Sequence, residues 1–330
     1  MIKQTIQTAL VYTTIAIGAV PILIPFLWML ATSVKSNIDA AEHPASIIPT
    51  IESTQWTHEG KTEEVVRLID LLDGKSKIKT KQGTVHTVQL SELRTKTHLT
   101  LQATNYTRLA MHKSNDSDND WPRFLANTLL IAAMTVCGQI ITCSLAGWGF
   151  SRLRFAFRNQ LFVLMLATMM VPSQISMVPT FMIYRWLGWI DTFLPLIVPA
   201  WLGGAFFTFL YRQFFLSIPK EMDEAAEMDG CSHIQTYWHV LLPMAKPVSV
   251  TVGVYSFLGA WNEFMSPLIY INSDHKRTLT LALAKLQGAY AADIPMLMAA
   301  STVMLIPVLT LYVISQRYLI QGMTVSGVKG

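Results

Sequence analysis

Ser217-Ile-Pro-Lys-Glu-Met-Asp-Glu-Ala-Ala-Glu-Met-Asp-Gly230-Cys-Ser-His-Ile-Gln-Thr-Tyr-Trp-His-Val-Leu-Leu-Pro243 is a polar island between apolar runs, and its reading decides the architecture. Ser217 is placed to cap, Pro219 suits a first turn, and Glu221, Asp223 and Glu224 complement the positive end of a helix dipole. The pattern predicts a short helix from Pro219 to Met228, ended by Gly230. Ser232 then caps a second helix, which Pro243 closes. Small residues at Ala225, Ala226 and Gly230 let another backbone or side chain come close to this elbow.

The flanking runs have membrane length. A bilayer core of about 30 Å takes about 20 apolar residues in a helix rising 1.5 Å per residue. Six stretches qualify: Thr8 to Ala31, Phe124 to Phe150, Gln160 to Ile183, Thr192 to Tyr211, Val248 to Ile271 and Met296 to Ile314. The first follows Lys3 as a signal-peptide core would. Its apolar run exceeds the usual length of about 7 to 15 residues and no small-residue cleavage motif closes it, so retention as an anchor is expected. Between Pro172 and Pro179, where two amide donors are missing, the third stretch is expected to kink around Ser173 and Gln174.

Charge is scarce and uneven. Charged residues make up 14% of the 330 positions and apolar ones 52%, with a mean hydropathy of +0.37, against about 25% charged in an average globular protein. Ser33 to Arg123 takes 12 of the 25 basic and 12 of the 21 acidic residues. The rest has too few charges to solvate a surface, which excludes an ordinary cytosolic enzyme and leaves a membrane protein with one polar insert. No basic run reads as a nucleic-acid site. Cys137, Cys143 and Cys231 form no disulfide framework or metal cluster by spacing.

Short loops set orientation, because Lys and Arg favour the cytoplasm. An N-in arrangement puts nine basic residues inside, among them Lys3, Arg152, Arg154, Lys220 and Arg317, and only Arg185, Lys276, Arg277 and Lys285 in the short outer loops. Both termini are therefore expected to be cytoplasmic, and residues 33–123 extracytoplasmic. Within that insert, Lys61 to Asp73 has apolar residues at helical spacing and stops at Asp73-Gly74, while Ser76 to Thr80 and Thr84 to Leu90 alternate around Gln82-Gly83 as a hairpin does. The expected fold is an all-α membrane protein of six spans with a small α/β insert between the first and second. Its parts are an N-terminal segment (1–32), the insert (33–123), a five-helix core (124–316) containing the polar island (217–247), and a tail (317–330). The polar run Ser114 to Asp120 reads as a hinge into the second span.

Glu224-Ala-Ala226, three residues, Gly230, nine residues and Val240-Leu-Leu-Pro243 resemble the EAA loop of permease subunits in binding-protein-dependent ABC importers. Val240 stands where that pattern has Ile, and Cys231 where Ala is common. Phe124-Leu-Ala-Asn127, Ala146-Gly-Trp-Gly-Phe-Ser-Arg152, Trp261-Asn-Glu-Phe264 and the tail from Gln316 to Gly330 are similar to the carbohydrate branch, of the maltose-transporter type. The resemblance covers about Thr104 to Gly330 plus the first span, and leaves out roughly Thr50 to Gln102. It implies that Glu224, Ala225, Ala226, Asp229, Gly230, Leu242 and Pro243 form a coupling surface docked in a groove of an ATP-binding subunit. It also implies that the tail, through Gln321, Gly322, Gly327 and Lys329, reaches the interface between two such subunits. Implied partners are two ATPase copies, which carry the ATP and Mg, a second homologous permease, an extracytoplasmic solute-binding protein, a sugar and membrane lipid. The chain itself would bind no cofactor and perform no chemistry, and would lie in the inner membrane of a bacterium or archaeon.

Glu263 is the ionisable residue at membrane depth, where a carboxylate needs a partner or water. With Trp261 and Asn262 beside it, one face offers stacking and hydrogen bonds to a sugar; the plainer reading is that Glu263 orders a helix end. Gln174 is a further candidate for the pathway. Catalysis finds no support: Gly74-Lys75-Ser76 imitates the end of a phosphate loop, but Ile69 stands where its first glycine belongs. Two alternatives stay open, an importer permease for a non-sugar solute and an ion-coupled secondary carrier. The carrier would show paired intramembrane charges and inverted repeats, neither of which is visible. The insert reads as a docking platform for the binding protein or as a spacer over the outer mouth.

Overall fold

A computed structural model describes residues 2–58, 61–70, 75–80, 83–99, 101–111, 121–289 and 293–326. The chain divides into two compact units, residues 1–111 with 286–303, and residues 112–285 with 304–330.

In the first unit, α1 (Ile2–Ser33) contains Pro21 and Pro25 and exposes large apolar side chains such as Leu10, Ile15, Ile17 and Ile22. After α2 (Asn37–Glu42) come β1 (Thr50–His58), β2 (Lys61–Asp70), β3 (Lys75–Thr80), β4 (Val85–Gln89) and β5 (Leu93–Leu99), then α3 (Thr104–Met111). The strands form one antiparallel sheet in the order β4-β3-β2-β1-β5. Along β3, Ser76, Ile78 and Thr80 are buried while Lys77 and Lys79 are exposed, the period of two expected of a pleated strand. Val65, Ile78 and Val88 make the small core, with Trp56 and Leu93 against it.

The helix expected over Lys61 to Asp73 is instead strand β2. Its pairing with β3 shifts register between Arg67 and Ile69. A bulge of this kind puts one extra residue into the strand, so the apolar positions slip out of alternation and imitate helical spacing. The hairpin reading holds for β3 and β4: Gly83 has φ +87°, a left-handed conformation that glycine adopts freely. Asp73-Gly74, Gln82 and Ser114 to Asp120 lie outside the described residues.

Polar groups tie the insert to the end of α1. The Asn105 amide donates to the carbonyls of Ser33 and Lys35, at 2.9 Å each, and the Ser33 and Tyr106 hydroxyls meet at 2.7 Å. Lys35 is fully buried and its ammonium donates to His43 O at 2.8 Å. Arg108 pairs with Asp293 at 2.7 Å, and the Asp293 carboxylate also accepts from Met296 N.

The second unit is built around α4 (Trp121–Arg152). It continues through α5 (Arg158–Ala167), α6 (Ser173–Trp186), α7 (Leu194–Trp201), α8 (Ala205–Ser217), α9 (Glu221–Met228) and α10 (His233–Thr236). A π turn at Tyr237–Leu241 leads to α11 (Leu242–Met244), α12 (Lys246–Asn262), α13 (Met265–Tyr270) and α14 (Leu279–Ala289), which belongs to this unit up to Lys285; α15 (Ile294–Ser326) ends the described chain and belongs to this unit from Met304. α4 packs on α7, α8 and α12. Among the described residues, four helices are long and apolar enough to cross a bilayer: Leu10–Ser33, Trp121–Arg152, Leu194–Ser217 and Ile294–Arg317. Two pairs bent by more than 40° raise the number to six if each is one span. One of these breaks at Val171-Pro172, where a kink was expected, and Pro179 lies inside α6. The other joins His233–Met244 to Lys246–Asn262 at 75°. Separately, the apolar run expected to reach Ile271 in one piece is interrupted after Asn262, where α12 ends before α13 begins at Met265.

Asp191, with φ +61°, pins two loops of this unit. Its carboxylate accepts from the backbone N–H groups of Asn272 and Ser273 and from the Ser273 hydroxyl, and Lys276 lies 3.3 Å away. Burial opposes its ionisation, but these donors outweigh it and hold the carboxyl well below the usual carboxylate range. A folded pKa below the unfolded one means that its contribution is complete above about pH 4 and is lost as the pH falls further. Asp191→Ala is expected to lower stability by about 2 kcal/mol at neutral pH and to flatten the acid limb of a thermal-melt pH profile; an unchanged profile would count against the pin.

Candidate functional site

The polar island folds as the expected elbow with two differences. Ser217 closes α8 and donates its hydroxyl to Phe214 O at 2.7 Å, so it does not cap α9, which starts at Glu221 without a side-chain cap. Three carboxylates, Glu221, Asp223 and Glu224, still occupy the first turn. At the other end Cys231 N donates to Ala226 O and Gly230 N to Glu227 O, the paired bonds of a Schellman cap. Gly230 has φ +83° and open space where a side chain would go. It is required here by its backbone angle; among the described residues no neighbour crowds it. Ser232 caps α10 through a capping box with Gln235. The second difference is the π turn at Tyr237–Leu241, for which the sequence carries no signal.

The elbow is rooted in the unit's core. Tyr237 and Leu241 are buried together with Cys143, Tyr211, Phe215 and Ala245, and the Tyr237 hydroxyl meets Ser144 Oγ at 2.7 Å. Arg152, at the end of α4, pairs with Asp223 at 2.9 Å and donates to Ile218 O at 2.9 Å. Burial pushes the Asp223 carboxyl up, against the pull of the Arg152 guanidinium. The other side of the elbow is bare: Glu224, Ala225, Asp229, Gly230 and Pro243 are exposed. Met228 is 88% exposed, Ile234 64% and Trp238 49%, an apolar set on an otherwise polar turn. Ala226 is buried and Leu242 half-buried against the core. His233 and His239 are both exposed.

A second feature of this unit is a cavity of about 750 Å³. It is lined from α4 by Thr128, Thr135 and Gln139, from α6 by Gln174 and Tyr184, and from α12 and beyond by Tyr255, Ser256, Glu263 and Tyr270. Gln174 and Glu263 thus share one wall system. Trp261 is 1% exposed and stacks on Phe257 at 5.3 Å, and Asn262 is exposed with its amide on Leu258 O; neither lines the cavity. Glu263 Oε1 accepts from Ser266 N at 2.9 Å, so it orders the start of α13 as well as facing the space. Sequence reading missed the α4 contribution, although Thr128, Thr135 and Gln139 recur at helical spacing within an apolar run. Of the tail positions, Gln321 and Gly322 lie within α15; Gly327 and Lys329 lie outside the described residues.

The family of binding-protein-dependent transport system inner membrane components matches residues 139–325, which takes in both the elbow and most of the cavity wall. The chain belongs to this family. It is a transport component, not an enzyme. The arabinooligosaccharides transport system permease protein AraQ of Halalkalibacterium halodurans is 32% identical over 210 residues, 64% of this chain and 75% of the relative. The trehalose/maltose transport system permease protein MalG of Thermococcus litoralis is 32% identical over 231 residues, 68% and 81% respectively. A crystal structure of a bacterial ABC transporter involved in import of the acidic polysaccharide alginate matches with a TM-score of 0.67 at 19% identity, covering 96% of this chain and 98% of that one. This last likeness is one of fold.

Proposed function

We propose that the chain is the permease subunit of an ABC importer for a sugar or oligosaccharide, forming half of a pathway completed by a second, homologous permease. The observation that carries this is the elbow: a capped helical turn rooted in the core by Tyr237 and Arg152, with Met228, Ile234 and Trp238 exposed on its free side. An apolar set on a rigid mount suits docking to another protein. The partner is an ATP-binding subunit in two copies, which hold ATP and Mg, and Glu224 to Gly230 with Leu242 and Pro243 transmit its closure to the spans. Gln321, Gly322, Gly327 and Lys329 extend toward the interface of those copies. Both bent helix pairs count as spans, giving six with both termini cytoplasmic. The insert then lies outside, where a solute-binding protein delivers the sugar. The cavity with Gln174 and Glu263 belongs to the pathway.

Gly230→Val tests the coupling. A β-branched residue at this backbone angle costs about 1–2 kcal/mol and redirects the chain leaving α9, while the space around it leaves the rest of the fold undisturbed. Uptake is expected to fall at least roughly tenfold, the equivalent of about 1.4 kcal/mol, with the ATPase still copurifying. Normal uptake by a normally assembled variant would overturn the coupling role.

A further inference from the structure

The cavity wall is informative for what it carries and for what it lacks. Its polar groups are amides, hydroxyls and phenols, with Glu263 as the carboxylate; among the described residues no lysine, arginine or histidine lines it. Among the described residues the Ser256 hydroxyl has no hydrogen-bond partner although the residue is only 5% exposed, and the Thr135 hydroxyl is likewise unpaired. Buried polar groups without partners are costly, and because both oxygens are closed to solvent as they stand, each pairs with an incoming hydroxyl only after a rotation of its side chain toward the space. Phenol rings at Tyr184, Tyr255 and Tyr270 add apolar faces with polar tips.

A ring bearing only hydroxyl groups finds both kinds of partner here. A carboxylate-bearing ring does not: desolvating it requires cations or clustered N–H donors, and the fixed charge it would meet is that of Glu263, of its own sign. We propose that this cavity accepts uncharged, polyhydroxylated chains and excludes uronates, with Glu263 as the charge filter. This rests on the permease reading above and adds the cargo's charge to it. Sharing a fold with an importer of an acidic polysaccharide would then not extend to the charge of what is carried.

The test uses the detergent-solubilised complex as it purifies with its partner subunits, and saturation-transfer NMR with two probes of equal length, maltotriose and trigalacturonate. Wild type is expected to bind the neutral probe at least about tenfold more tightly, the scale of one like-charge pair at partial burial. Glu263→Gln should close most of that gap. Glu263→Asp, which keeps the carboxylate, should preserve it. Equal binding by wild type, a gap that survives Glu263→Gln, or one lost equally in Glu263→Asp would overturn the filter. Binding of neither probe would overturn it too, while ATPase subunits present in the same preparation would leave the permease reading standing.

Discussion

Leucine at position 147 is expected to abolish the folded membrane core, and leucine at position 149 to leave it intact. A Cβ on Gly147 would fall 2.5 Å from Tyr211 Cβ and 2.9 Å from Arg212 N, whereas one on Gly149 would meet nothing within 4 Å. The crowded atoms are backbone and a first side-chain carbon, so no rotamer change relieves them. Tyr211 is fully buried and its hydroxyl donates to Ser249 at 2.9 Å; moving it disturbs the core that also holds Tyr237. Small residues at such crossings let membrane helices approach closely. Overpacking a tight contact costs about 1–3 kcal/mol for modest additions, and leucine adds more than that. Fluorescence-detected size-exclusion yield should show loss of monodisperse protein for Gly147→Leu, a partial loss for Gly147→Ala, and little change for Gly149→Leu. A stable Gly147→Leu protein would contradict the α4–α8 contact.

Arg152→Ala is expected to cost more than Asp223→Asn, and the double substitution less than their sum. The Arg152 side chain is 10% exposed and that of Asp223 21%, so each is partly withdrawn from water. Removing the guanidinium strands a carboxylate whose burial already disfavours its charge, and also leaves Ile218 O without its donor. Breaking one side of such a pair costs roughly 3 kcal/mol where burial is high. Neutralising Asp223 relieves the desolvation and keeps a polar side chain in place, so its loss is smaller. Thermal stability and uptake should both show a coupling energy of about 1–3 kcal/mol in the double-mutant cycle. Strict additivity would mean that the contact does not join α4 to the elbow.

Local signals were legible and non-local ones were not. Apolar length marked α1, α4 and α15, because a span needs no partner to be recognised. The acidic first turn and Gly230 marked α9 at both ends. Strand β2 was misread because its bulge erased the alternation that identifies a strand. α14 was missed because 11 residues are too few for a span, and Leu279 and Leu286 become buried only through tertiary packing. The cavity could not be assembled beforehand, since its wall draws on segments from Thr128 to Thr278 whose proximity is a property of the fold. Trp261 and Asn262 neighbour Glu263 in sequence, yet a helix end separates their directions.

The wide turn at Tyr237–Leu241 acts as a clocking device. One residue fewer there would restore ordinary helical winding, but everything after it would be rotated by about 100° about the axis. Tyr255 and Ser256 would then swing away from the space they now border. Length at this single turn is therefore a separate constraint from composition: deleting one residue redirects all that follows, whereas exchanging the exposed Trp238 or His239 leaves the path of the chain unchanged.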